Sequence, residues 1–240
     1  MGRRDVLLLV LAMTAWCAVA VCGLTAPSHA QTPMKIGIIG SGRIGGTMGE
    51  HWVKAGHEVL FSSRHPETLR PLAERLGPKA RVGTPREAAT FGDVVFLAVP
   101  YAAIPDLGRD LANELKGKIV VNASNPIPSR DGPLAQEAQK KGAGVADVEL
   151  LPGARIARAF TSPGAGVFKS EAHRAGERIA VAVAGDDKEA VDVASRLVRD
   201  AGFEPVVVGP LSRAKDFQPG TPVFGRAMTA REMKQALRLP

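Results

Sequence analysis

The sequence of 240 residues predicts an α/β fold, in which a doubly wound, mainly parallel sheet is followed by a small C-terminal α/β extension. Three observations support this prediction. An apolar strand leads directly into glycines spaced G-x-G-x-x-G, strand-like and helical segments alternate from there to the end of the chain, and no long all-helical tract interrupts them. Such alternation is typical of parallel strands joined by helices.

The first β-α-β unit surrounds the glycine motif. Its helix should be amphipathic, because Ile44, Met48 and Trp52 lie on one face, and Gly56 is a suitable stop. The motif therefore lies between a strand and a helix, as the Rossmann type of dinucleotide-binding fold requires. We predict the first strand, the helix and the second strand over residues 35–39, 44–55 and 58–61.

Each glycine of the motif has a mechanical role. Gly40 allows the tight turn after the strand, Gly42 lets the backbone approach a pyrophosphate, and Gly45 lets the helix pack close to the sheet. The helix N-terminus then presents unpaired N–H groups to the phosphates. The motif therefore predicts a dinucleotide site; the alternative is a glycine-rich turn in another α/β protein.

The end of the second strand indicates which dinucleotide binds. Ser62, Ser63 and Arg64 occur there, and no acidic residue appears before Glu67. A carboxylate at this position would accept from the ribose 2′-hydroxyl of NAD and repel a 2′-phosphate, whereas hydroxyls and a guanidinium suit a phosphate dianion. Arg43 adds positive charge within the glycine loop. We therefore favour NADP over NAD, with an ordinary solvated turn as the alternative.

The remaining segments continue the alternation. A capping box at Thr84 starts a short helix, and an apolar strand over 93–99 ends at Pro100, where the cofactor crevice is expected. Asn125 follows the next strand and is a candidate for binding the nicotinamide amide; a turn-forming role before Pro126 is equally open. Further helices and strands are predicted over residues 104–115, 118–122, 155–160, 177–184, 186–201, 203–208 and 229–237.

Composition and charge exclude several classes of function. The formal net charge of +7 favours anionic ligands, but the basic residues are scattered without interleaved aromatic residues, so no nucleic-acid partner is expected. Both cysteines, Cys17 and Cys22, lie near the N-terminus, and the five histidines lack metal-ligand spacing. We therefore expect no disulfide, no thiol nucleophile and no metal site after residue 30.

The N-terminus is typical of an export signal. An arginine pair, Arg3 and Arg4, precedes an apolar run over 6–23, and small residues precede a cleavage point after Ala30. We predict a signal peptide over residues 1–30 and a periplasmic or exported protein, with the arginine pair indicating the twin-arginine route. Two alternatives stay open: an uncleaved run would anchor the chain in a membrane, and translation from Met34 would give a cytoplasmic protein.

From Met34 to its C-terminus the chain resembles the NADPH-dependent coenzyme F420 reductases (F420H2:NADP oxidoreductases). The earlier motifs are shared with pyrroline-5-carboxylate reductases and the cytosolic domain of STEAP metalloreductases. The likeness rests on the sequence at residues 40–45, 55–59, 62–64, 98–100, 125–126, 151–155, 183–187 and 202–205.

The resemblance implies an NADP-binding Rossmann domain over residues 34–160 and a smaller acceptor-side part over 161–240. Val99 and Pro100 would flank the nicotinamide, with a deazaflavin above it. In the family an Asn and a short Ala-containing loop commonly follow the position of Phe160, whereas this chain has Thr161 to Gly166, which leaves the acceptor open. The implied phosphate-binding residues are Ser41, Gly42, Arg43 and Ile44 for the pyrophosphate, and Ser63 and Arg64 for the 2′-phosphate.

These features predict an NADP(H)-dependent oxidoreductase that transfers hydride between nicotinamide and a planar acceptor, a coenzyme F420-type deazaflavin or a flavin. Such a transfer needs no side-chain acid or base, so we assign no catalytic residue. The expected partners are NADP(H) and a small acceptor, and a homodimer stays open. The alternatives are a metalloreductase-like ferric, cupric or flavin reductase, and a non-catalytic NADP-binding sensor.

Overall fold

The computed structural model describes residues 32–240. The predicted signal peptide, residues 1–30, and both cysteines therefore lie outside the described residues. Eight strands, β1 to β8, run over Lys35–Ile39, Glu58–Ser62, Ala80–Gly83, Val94–Leu97, Ile119–Asn122, Arg155–Arg158, Ala180–Gly185 and Glu204–Gly209.

Ten α-helices occur in this part of the chain, together with three short 3-10 segments at Pro66–Leu69, Tyr101–Ala103 and Leu211–Phe217. The α-helices, α1 to α10, cover Arg43–Lys54, Arg70–Leu76, Pro85–Phe91, Ile104–Asp110, Ala112–Leu115, Pro128–Lys141, Ala143–Leu150, Ala165–Ser170, Lys188–Asp200 and Ala230–Ala236. The capping box that the sequence predicts at Thr84 is present, with Glu87 as its partner.

All eight strands belong to one sheet, and the strand order confirms the doubly wound α/β prediction. The order is β3-β2-β1-β4-β5-β6-β7-β8, and its first six positions are those of the Rossmann fold, with the switch point between β1 and β4. Neighbouring strands are parallel except β6 and β7, which are antiparallel. Residues 33–240 form one compact unit, and the sequence-predicted boundary at residue 160 lies where the strand direction reverses.

Some predicted elements differ from the structure for local reasons. The strand predicted over 155–160 ends at Arg158, and Phe160 has a left-handed φ of 58° that is incompatible with a strand. The helix predicted over 104–115 is interrupted at Leu111, whose φ of −112° and ψ of 17° separate α4 from α5. The sequence-based predictions do not include the strand β3 or the helices α2, α6, α7 and α8.

The apolar residues of the sheet form clusters on both of its faces. On one face Trp52, Phe96 and Phe160 pack edge to face, with ring centroids 4.8 to 5.6 Å apart. The indole of Trp52 also donates to the carbonyl of Leu197, 2.9 Å away, so α1 is joined to α9 across this cluster. Edge-to-face aromatic pairs add stabilisation beyond their buried area. The cluster therefore holds α1 firmly against the sheet.

The start of α1 lies unusually close to the turn that precedes it. A Cβ added at Gly45 would lie 2.1 Å from the carbonyl oxygen of Gly40, closer than any real contact. One added at the next residue, Gly46, would lie 3.5 Å from the carbonyl oxygen of Ser41, an ordinary van der Waals distance. The close approach of helix and turn therefore depends on Gly45, in the packing role that the sequence assigns to it.

Replacing Gly45 with Ala should lower the free energy of unfolding by about 1–3 kcal/mol, because the new methyl group would displace the helix from the turn. Thermal unfolding followed by circular dichroism measures this effect. Gly46→Ala is the matched control and should be neutral, or more stable by up to about 1 kcal/mol, since Ala favours helix interiors. Equal melting temperatures for the two variants would contradict the role of Gly45.

Candidate cofactor site

The glycine loop leaves the first helical turn of α1 open to a ligand. Gly40 has a φ of +96°, and an added Cβ would lie 2.5 Å from the carbonyl oxygen of Ala98. Gly42 is the N-cap residue; it has no side chain to cap the helix, and no acidic residue lies in the first turn. The N–H groups of that turn are therefore available to an anionic group such as a pyrophosphate.

The segment Ser62–Arg64 divides into a structural residue and two candidate binding residues. Ser62 is fully buried; its hydroxyl donates to the carbonyl of Ile38 at 2.6 Å, and its own carbonyl accepts from the N–H groups of Gly40 and Ser41. The prediction that Ser62 binds cofactor is therefore wrong for its side chain, since that hydroxyl braces the glycine loop. Ser63 is half-buried and Arg64 is exposed, and within residues 32–240 no carboxylate pairs with Arg64.

A cavity of about 710 Å³ lies at the carboxyl ends of β1, β2 and β4. Clefts of this size are typical of sites for small molecules and cofactors. It brings together seven residues that the sequence singled out: Gly40, Ser41, Gly42, Ser63, Arg64, Val99 and Pro100. Its other lining residues are Ile39, Thr68, Leu69, Pro85, Ala98, Ala102, Ala103, Asp106 and Leu107.

Besides Ser62, four other predicted residues do not line this cavity. Arg43, Ile44 and Gly45 lie in the first turn of α1, directly after the glycine loop. Asn125 lies outside the cavity, and its amide nitrogen donates to the carbonyl of Thr161 at 2.8 Å. Its amide oxygen is buried and has no hydrogen-bond partner among the described residues. If Asn125 contacts a nicotinamide, it must therefore accept a hydrogen bond.

A network of buried polar side chains lies behind the cavity, and the sequence analysis did not identify it. Its centre is Asp147 of α7, which is fully buried and accepts from Tyr101, Asn122 and Arg158 at 3.0, 2.8 and 2.5 Å. Arg158 also donates to the carbonyl of Ser124 at 2.7 Å, and the Ser124 hydroxyl accepts from the N–H of Val99 at 3.2 Å. The network thus reaches the cavity wall at Val99.

Burial and the charge of Asp147 raise the pKa of the Tyr101 hydroxyl, which therefore remains a hydrogen-bond donor. Burial also raises the pKa of Asp147, against the opposing effect of Arg158. One signal in the sequence could have revealed this pair. Asp147 and Arg158 have opposite charges and are flanked on both sides by apolar residues, and a buried charge requires a partner.

Two features are absent from residues 32–240. No helix there is both long and apolar enough to span a membrane. No group of three or more His, Cys, Asp or Glu side chains in the same residues could hold a metal ion.

The fold and the cavity define a Rossmann-type dinucleotide-binding protein, with its site at the switch point of the sheet. Residues 35–126 match the family model described as "NADP oxidoreductase coenzyme F420-dependent". Over these residues the chain is similar to that family of NADP-dependent oxidoreductases.

Individual proteins are also similar to this chain. The chain is 31% identical over 187 residues to the metalloreductase STEAP3 of Rattus norvegicus, a match that covers 77% of this chain but 36% of that protein. It is 28% identical over 212 residues to the F420-dependent NADP reductase of Methanothermobacter marburgensis, covering 80% and 91% of the two chains. A hypothetical protein of Sinorhizobium meliloti has a similar structure, with a TM-score of 0.69, 28% identity and coverage of 82% and 96%.

Replacing Gly42 with Ala tests whether the glycine loop contacts the cofactor. The protein itself has room, because an added Cβ at this position meets no atom within 4 Å. A pyrophosphate held by the loop would meet the new methyl group, so we expect the dissociation constant for NADPH to rise about tenfold or more, which corresponds to about 1.4 kcal/mol. Titration calorimetry measures this constant. An unchanged affinity would mean that the phosphates bind elsewhere.

Replacing Arg64 with Ala tests the 2′-phosphate assignment. Loss of a charge-assisted hydrogen bond should weaken NADPH binding by about 1.5–3 kcal/mol and leave NADH binding nearly unchanged. Arg70→Ala is the matched control, because it removes the same charge from an exposed arginine of α2 that does not line the cavity. Equal losses of NADPH and NADH affinity in Arg64→Ala would exclude a specific 2′-phosphate contact.

Proposed function

We propose that the chain binds NADP(H) in this cavity and transfers hydride between the nicotinamide and a planar acceptor, a coenzyme F420-type deazaflavin. The observation that carries the proposal is that the two ends of the cavity differ in polarity. Ser63 and Arg64 provide a polar, cationic end, while Ala98, Val99 and Pro100 provide an apolar one. This arrangement suits a ligand with a phosphate at one end and a planar ring at the other.

In this proposal each part of the cavity has one task. The backbone at Gly42 and the first turn of α1 bind the pyrophosphate, and Arg64 binds the 2′-phosphate. Val99 and Pro100 cover the nicotinamide and exclude water. When bound there, the two cofactors themselves would supply the chemistry, a hydride from nicotinamide C4 and a proton from solvent reducing the deazaflavin.

We place the acceptor beside the loop of residues 161–166, next to Asn125. Two hydrogen bonds of this loop support that placement. The carbonyl of Thr161 accepts from Asn125, and the Ser162 hydroxyl accepts from the N–H of Gly225 at 2.8 Å. The loop therefore connects the cavity side of the sheet with the C-terminal segment. The sequence of this loop departs from the family pattern at Thr161. We therefore expect this protein to differ from the family in its preferred acceptor more than in its binding of NADP(H).

A second candidate function follows from the similarity to the metalloreductase STEAP3. In this alternative a flavin or deazaflavin accepts the hydride and passes single electrons to ferric or cupric ions. This chain spans 36% of the length of that relative, so the similarity covers the NADP-binding part of the reaction and leaves the route to the metal as a proposal.

The test is to mix the purified full chain with NADPH and one acceptor at a time: F420, FMN or a ferric chelate. We expect the nicotinamide absorbance to fall fastest with F420, because direct hydride transfer requires only that the two rings stack. With NADPH deuterated at C4, the label should appear in the reduced F420. Oxidation with FMN or ferric chelate but not with F420 would favour the second candidate.

Arg64→Ala is the control variant for this assay. It should slow the reaction at low NADPH concentration, and saturating NADPH should restore the rate, because the arginine lies far from the reacting ring in this proposal. If tight NADPH binding is found with no oxidation by any of the three acceptors, the enzymatic proposals fail and a non-catalytic NADP sensor replaces them.

A further inference from the structure

One buried carboxylate fixes the loops at the ends of three adjacent strands. Asp147 accepts from Tyr101 beyond the end of β4, from Asn122 at the end of β5 and from Arg158 at the end of β6. The carboxyl ends of parallel strands meet at one edge of a sheet, and here that edge holds the cavity. The position of α7 therefore sets the position of three loops near the proposed nicotinamide site.

Two routes lead from Asp147 to the cavity wall. Arg158 joins Asp147 to the carbonyl of Ser124, whose hydroxyl accepts from the N–H of Val99. On the other route the Tyr101 hydroxyl donates to Asp147, and Tyr101 directly follows Pro100 in the chain. Both routes end at Val99 and Pro100, the residues that cover the nicotinamide in the proposed function.

Stability alone is a poor explanation for this network. Arg158 and Asp147 are almost entirely buried, and the cost of removing two charges from water can exceed their attraction. An apolar pair of similar volume would join α7 to the sheet at least as well. Directional hydrogen bonds between rigid groups fix distances and angles, and apolar packing does not.

We propose that Asp147 and Arg158 are positioning residues that, through Tyr101 and Ser124, hold Val99 and Pro100 at the distance and angle required for hydride transfer. This inference rests on the proposed function, since it assumes that a nicotinamide lies against Val99 and Pro100. It assigns no contact with the cofactor to the side chains of the network themselves. Their loss should therefore affect the geometry of transfer more than the affinity for NADPH.

Tyr101→Phe and Ser124→Ala test this inference, because each removes one hydroxyl and leaves the buried ion pair intact. Steady-state kinetics with NADPH and F420 should show kcat reduced about tenfold or more, because small displacements of reacting groups are costly. KM and the dissociation constant for NADPH should stay within about threefold of the values for the unmodified protein. Ser195→Ala is the control: its hydroxyl is buried in α9, has no hydrogen-bond partner within residues 32–240, and should be dispensable.

A second readout does not depend on turnover. A nicotinamide held in a dry, fixed position emits at a wavelength different from that of free NADPH, and in Tyr101→Phe and Ser124→Ala the emission of bound NADPH should move toward the free value. If the unmodified protein oxidises no NADPH, the proposed function fails, while the emission measurement still tests positioning.

Three results would overturn the inference. A lower melting temperature with unchanged kcat and unchanged emission would show a purely structural network. A raised KM with unchanged kcat would show that the network serves binding. An equal loss of kcat in Ser195→Ala would show that any buried hydroxyl has this effect. If Tyr101→Phe does not fold, Ser124→Ala alone decides, because its hydroxyl accepts one backbone hydrogen bond and its backbone remains available to Arg158.

Discussion

The contact between Gly45 and the carbonyl of Gly40 is the constraint on which the rest of the cofactor site depends. It fixes how closely α1 follows β1 and therefore where the first helical turn lies. The aromatic cluster around Trp52 holds the other end of the same helix. With α1 fixed at both ends, the loop between Gly40 and Gly42 has little freedom, and the open N–H groups of the first helical turn are held in one position. A rigid anion site of this kind binds without first having to order itself.

Much of the fold could be predicted because the relevant signals are local. The glycine spacing, the apolar strands and the capping box at Thr84 each lie within a few residues, and each describes the conformation of the segment that contains it. The same holds for Ser63 and Arg64, which directly follow a strand. Errors arose where a backbone angle departs from the regular pattern, as at Leu111 and Phe160, because apolar periodicity continues through such positions.

The buried network could not be predicted because its members are distant in sequence. Tyr101 and Asp147 are 46 residues apart, and Ser124 and Arg158 are 34 apart. Pairing them requires the strand order and the position of α7, a helix that the sequence analysis did not locate. The prediction that the Ser62 side chain binds cofactor is wrong for a related reason. Its residue type suited a phosphate, but its buried hydroxyl donates to the carbonyl of Ile38 on the neighbouring strand β1.

The position of Ser62 has a consequence for how such a protein can change over evolutionary time. The residue that braces the glycine loop and the residues that we propose to select the dinucleotide are immediate neighbours, yet their side chains face different groups. In the proposed function, mutations at Ser63 and Arg64 would therefore exchange one nicotinamide coenzyme for the other without disturbing the scaffold, since neither side chain supports the sheet. A descendant lineage could shift between the two cellular coenzyme pools through one or two exposed substitutions, while Ser62 stays under selection for folding.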